Sequence, residues 1–99
     1  MPTVRAAVRY PLQVPLYVYT HDLEQRTETR NVSTGGVLFS ADWEVAVGTR
    51  IRFTLIFSAR ATGSSQDVVL HCVGRVVRCS PEDGRSEVAA VIDDYKFVR

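Results

Sequence analysis

The sequence has little lysine, little cysteine and no excess of either charge. Two cysteines, Cys72 and Cys79, stand seven apart in what reads as one strand and its exit, a spacing that supports neither a zinc site nor a disulfide framework. Both are expected to be buried as small apolar residues, and no metal is expected. Twelve cations against eleven acids leave a net charge of +1, which removes any global field toward nucleic acid or an anionic membrane. No apolar run approaches the roughly 20 residues of a membrane span, and Tyr10 to Tyr19, though uncharged, is broken by Pro11, Gln13 and Pro15. The expectation is a cytoplasmic protein without membrane insertion. Helix-period stretches are missing too, and no paired carboxylates or nucleophile with its base are legible from spacing, so no enzyme is expected.

Valine fills 16 positions, and valine, isoleucine and threonine together 27 of the 99. Such residues suit a pleated, half-buried surface, and the chain reads as one all-β domain. Strands are expected at 13–20, opened by prolines, then at 24–32, 36–40, 50–58, 68–79 and 86–93. The clearest alternation sets Ile51, Phe53, Leu55 and Phe57 against Arg50, Arg52 and Thr54. In 68–79, Leu70, Cys72, Gly74 and Val76 share one side. Arg75 and Arg78 fall on opposite sides, so at most one of them could face a ligand. Asp83-Gly84 predicts a tight hairpin turn. Residues 59–67 read as a turn-rich loop, and Ala41–Val47 and Asp93–Arg99 as two short helical candidates. His21 and His71 have no ligand-like partners, and Trp43 suits a core or barrel-end plug.

Charge is distributed unevenly. The first twenty residues hold Arg5 and Arg9 and no acid, so a small positive arm precedes the first strand. Arg5-x-x-x-Arg9 is followed by Asn31-x-Ser33-x-x-Gly36 between the second and third strands. With both motifs in this order, and with Gly48, the Gly74-Arg75-Val76-Val77 strand and the Val88–Ile92 strand following, the sequence resembles the PilZ domain family over nearly its whole length.

The resemblance implies a six-stranded antiparallel PilZ-type split barrel with its C-terminal helix short or absent. It also implies a bacterial second-messenger receptor for cyclic di-GMP that signals to an unidentified protein partner. Residues 1–12 would form a flexible arm, 13–93 the barrel and 94–99 a tail. The ligand-binding set would be Arg5, Arg9, Asn31, Ser33 and Gly36, with no cofactor besides the ligand. Arginine suits such a ligand because its planar fork pairs with a guanine N7/O6 edge or a phosphate and stacks on a base. Asn31 and Ser33, two apart in an extended stretch, would present polar groups on one side. Gly36 would allow either a positive φ or a close backbone approach. Because Val4 stands where a third arginine would reinforce the arm, one ligand per chain is expected. A nucleotide-independent adaptor working by protein contacts is the competing reading within the family. A small RNA-binding barrel is weaker, for want of interleaved basic and aromatic residues, so neither DNA nor RNA is expected as a partner.

Overall fold

The computed structural model describes residues 10–20, 23–63 and 65–98. Six strands, β1 (Pro15–Thr20), β2 (Leu23–Ser33), β3 (Gly36–Ala41), β4 (Arg50–Phe57), β5 (Val68–Glu82) and β6 (Arg85–Val98), close into an antiparallel barrel in the order β1-β2-β3-β6-β5-β4. One helical turn, α1 (Ala59–Thr62), links β4 to β5. The alternation read from the sequence is the alternation of burial. Ile51, Phe53 and Leu55 of β4 meet Leu16 and Val18 of β1, Phe39 of β3, Cys72 and Val76 of β5 and Val88 of β6 in one core. Trp43, Leu70 and Phe57 pack against its rim. Closure pairs both edges of most of these strands, which an open sheet would expose, and leaves β6 beyond Ile92 paired on its β5 side. Burial raises the Cys72 thiol to about 11, and both cysteines are free.

Where polar residues are buried, the backbone explains why. Pro11 and Pro15 cannot donate to a ladder, so the segment before β1 is stitched to β2 by Thr29, whose hydroxyl accepts from Val14 N–H at 3.0 Å and donates to Leu12 O at 2.6 Å. Thr54, on the outer face of β4, is held by His71 Nδ1 at 2.9 Å. Asp83 and Gly84 both take positive φ, +50° and +78°, between the paired residues Glu82 and Arg85. That is the two-residue turn whose twist matches a hairpin.

Three local expectations are corrected. Residues 93–98 are not helical: β6 continues to Val98, because Asp94 to Val98 finds a ladder along Val69–Val73 of β5, and Arg99 lies outside the described residues. The segment 41–47 holds no helix either; Ala41 ends β3, and the following loop is tied to β5 by Gly48 N–H to Val76 O at 2.7 Å and Val76 N–H to Thr49 O at 2.9 Å. The 59–67 loop does contain a helical turn, whose Ala59 N–H is capped by Asp67 Oδ1 at 2.8 Å. A cap reaching back across eight residues leaves no mark in local composition.

A bulge at Arg30, between the Thr29–Phe39 and Asn31–Leu38 pairs, turns this arginine outward. Its guanidinium spans β3 to reach Glu82 at 2.6 Å and Glu87 at 2.8 Å. The Arg30 hydrogen bond holds the Glu82 carboxyl below its ordinary 4.5, as the Arg75 hydrogen bond holds Asp93 below 3.8. A carboxylate depressed in the folded state adds stability that is complete above its unfolded pKa and is lost as pH falls through the folded one. The Tm of Glu82→Gln is therefore expected to lie slightly below that of wild type at neutral pH, by a small amount because the pair is exposed, and the two should converge as pH falls from about 5 to 2. Parallel acid limbs would show that the pair does not act on stability.

Candidate functional site

The Asn31–Ser33 end of β2 is built by register. Val32 pairs with Val37, Val37 with Ala90 and Ala90 with Val76, and all four are buried, so this row across β2, β3, β6 and β5 faces the core. The rows on either side therefore face outward. One runs Asn31, Leu38, Ala89, Arg78; the other runs Ser33, Gly36, Val91, Arg75. With strands about 4.8 Å apart, each row spans roughly 14 Å from a polar motif residue on β2 to an arginine on β5. Between them lie Leu38, Gly36, Ala89 and Val91, a small-residue apolar floor.

Asn31 and Ser33 thus share the outer face, as their spacing predicts. Asn31 is half-buried and Ser33 is 8% exposed. The Ser33 hydroxyl accepts from Gly35 N–H at 3.2 Å and donates to Gly36 O at 3.4 Å, so it also closes the turn between β2 and β3. Of the two uses open to Gly36, close approach is the one realised: a Cβ there would stand 2.5 Å from Ala90 O. Arg5 and Arg9 lie outside the described residues. Tyr10, which follows Arg9, does not: it exchanges backbone hydrogen bonds with Val32, 2.9 Å in each direction. The chain is thereby anchored to β2 midway between Asn31 and Ser33.

Sequence reasoning missed the two arginines opposite. It placed Arg75 and Arg78 on opposite faces, but a bulge at Val77, between the Val76–Ala90 and Arg78–Ala89 pairs, resets the alternation. Both side chains are exposed, Arg75 at 53% and Arg78 at 57%. Arg75 is held by Asp93 in a fork of 2.9 and 3.0 Å, whereas the Arg78 contact with Glu87 is a longer 3.4 Å. Arg78 is the less committed of the two. The signal for the bulge was a run of five residues, Arg75 to Cys79, with Val76-Val77 at its centre and no strict alternation of polar and apolar.

Concavities among the described residues lie elsewhere. One, of about 580 Å³, is lined on the outer face of β1, β4, β5 and β6 by Tyr19, Arg52, His71 and Lys96, among others. Another, of about 490 Å³, lies beside Arg26, Thr27 and Arg30. Neither includes Asn31 or Ser33. No group of three or more histidine, cysteine or acidic side chains suited to a metal occurs among the described residues, and none of their helices is long and apolar enough to cross a membrane.

The described structure is thus a closed six-stranded barrel with a polar turn beside an apolar floor, entered at that turn by the chain through Tyr10. The family profile of the PilZ domain matches residues 3–95, and the chain belongs to the PilZ domain family, a cyclic di-GMP-binding family of binding and adaptor domains. No curated protein matches the sequence. Among solved structures, the Bacillus subtilis Inhibitor of motility (MotI/DgrA) superposes with a TM-score of 0.77 at 18% identity. The match covers 93% of this chain and 44% of that one, so this chain spans less than half of its length. The likeness shows the same fold.

Proposed function

We propose that this chain is a cyclic di-GMP receptor in which the Arg5–Arg9 arm closes over a ligand seated on the outer floor between Asn31, Ser33 and Arg78, and that the closed arm alters the surface offered to a protein partner. The observation that carries this reading is the Tyr10–Val32 bridge, which joins the arm to the barrel inside the Asn31–Ser33 motif. The ligand carries two phosphodiester anions and two guanines. A guanine has a flat apolar face that suits Leu38, Ala89 and Val91, and an N7/O6 edge that arginine grips bidentately. Asn31 offers both donor and acceptor groups, and Ser33 retains an acceptor lone pair beyond its turn bonds. Arg78, across the floor, is placed to meet the second phosphate or base edge. Gly36 keeps β3 close to β6 and the floor flat.

Calorimetric titration with cyclic di-GMP, with GTP as control, tests this reading. Binding of one ligand per chain is expected, absent with GTP, and Arg78→Ala should weaken it about 5-fold to 150-fold. Hydrogen exchange in residues 3–12 should slow when ligand is added. A folded protein that ignores cyclic di-GMP would replace the receptor with the adaptor that works by protein contacts alone. Binding to any single strand, weakened steeply by salt, would instead indicate a nucleic-acid module.

A further inference from the structure

Beyond the hydrogen bond from Ile92 N–H to Gly35 O, where β3 ends, β6 runs on from Asp93 to Val98 with no strand on its β3 side among the described residues. Two backbone details show which groups line this open edge. Ile92 sends its N–H toward β3, and the extra residue Asp93, set between the Gly74–Ile92 and Val73–Asp94 pairs, shifts the alternation by one. Tyr95 and Phe97 consequently aim their N–H and C=O groups at the open side. The Tyr95 N–H agrees with this: it donates to the neighbouring carboxylate, Asp94 Oδ1, at 2.9 Å. A strand N–H satisfied by its own neighbour's side chain is one that no adjacent strand has taken.

Side chains along the edge divide cleanly between faces. Tyr95 pairs with Cys72 and Phe97 with Leu70, so both rings lie on the side of the sheet that continues the core. They are nevertheless 54% and 65% exposed, and they meet edge to face with centroids 6.0 Å apart. Asp94 pairs with Val73 and Lys96 with His71 on the outer side.

We propose that this edge pairs antiparallel with the same edge of a second copy, about a twofold axis passing at Tyr95, so that the two barrels share one continuous sheet. Charge selects both the occupant and the register. In a symmetric antiparallel pair, a residue and its counterpart on the same face lie opposite one another. A twofold at Asp94 would oppose two aspartates, and a twofold at Lys96 two lysines; both are unfavourable. A twofold at Tyr95 sets each Asp94 opposite Lys96 of the second copy, twice over. The two Tyr95 residues then exchange N–H to C=O hydrogen bonds. Each Asp94 carboxylate, displaced from the Tyr95 N–H, is free to meet the facing ammonium. On the other side, Tyr95 and Phe97 of both copies come together and lose their exposure to water. In the monomer the same Asp94 caps the edge and the same charges repel wrong registers, as edge strands require.

Sedimentation equilibrium of the chain with Asp94→Lys, Lys96→Asp and the double exchange tests this proposal, which does not rest on the ligand reading. A dimer is expected for wild type, and each single variant should raise its Kd at least about tenfold by opposing like charges. The double exchange restores the opposite-sign pairs and should return the Kd to within about threefold of wild type. Single variants as dimeric as wild type, or a folded double variant that stays monomeric, would overturn the register. In wild type, the Tyr95 and Phe97 amides should exchange more slowly as protein concentration rises. Exchange independent of concentration, with a monomer throughout, would overturn the dimer itself.

Discussion

Replacing Gly74 with alanine is expected to cost about 3 kcal/mol or more and to lower Tm by about 12 to 24 °C, at the upper end of what overpacking a strand interior does. A Cβ at this position would stand 1.8 Å from Val91 O and 3.0 Å from Val91 C, with the Phe53 ring at 3.4 Å. The first two are backbone atoms, which no rotamer change can move aside. β5 would have to separate from β6 at the bulge that both strands share, and Phe53, buried in the core, would lose contacts on the way. Gly35→Ala provides the control, because among the described residues its Cβ would come no closer than 4.0 Å, to Ser33 Oγ. Thermal and urea unfolding of the two variants should separate them widely. A Gly74→Ala protein within a few degrees of wild type would mean that the strands part easily, at Gly36 as well as at Gly74.

The elements legible in the sequence were those whose periodicity follows from a single closed core. β4 and the first half of β5 alternate without a break, and Asp83-Gly84 has the residues that two positive φ values need. What the sequence concealed was set by register. Each bulge, at Arg30, at Val77 and at Asp93, is one inserted residue that costs the pattern its phase, and each has a consequence at the surface. Arg30 is released to its ion pairs, Arg78 comes to the same face as Arg75, and Tyr95 and Phe97 turn their backbone groups to an open edge. Asp93-Asp94 at the end of β6 resembles a helix start, and it is the pairing with the long strand β5 that makes an extended course there favourable. Within the site, Asn31, Ser33 and Gly36 were found through their motif. The face they occupy and the arginines opposite depend on pairings with β3 and β6 that no local stretch encodes.

For the double variant Arg5→Ala/Arg9→Ala, cyclic di-GMP affinity is expected to fall by about 30-fold to more than 10⁴-fold, the combined effect of two charge-assisted contacts of roughly 1 to 3 kcal/mol each. The barrel face supplies shape but little charge of its own for the ligand: Arg75 is engaged by Asp93, and Arg78 lies beside Glu87. A dianion on that floor therefore depends on the arm for neutralisation, and lysine in place of either arginine should recover only part of the loss, since an ammonium lacks the bidentate fork. Fold stability should remain within about 0.5 kcal/mol of wild type, because both residues precede the Tyr10–Val32 bridge that ties the chain to β2. A stable double variant that still binds within threefold of wild type would remove the arm from the mechanism. In that event Asn31, Ser33 and Arg78 would have to hold the ligand by themselves, and slowed exchange in residues 3–12 would no longer be expected.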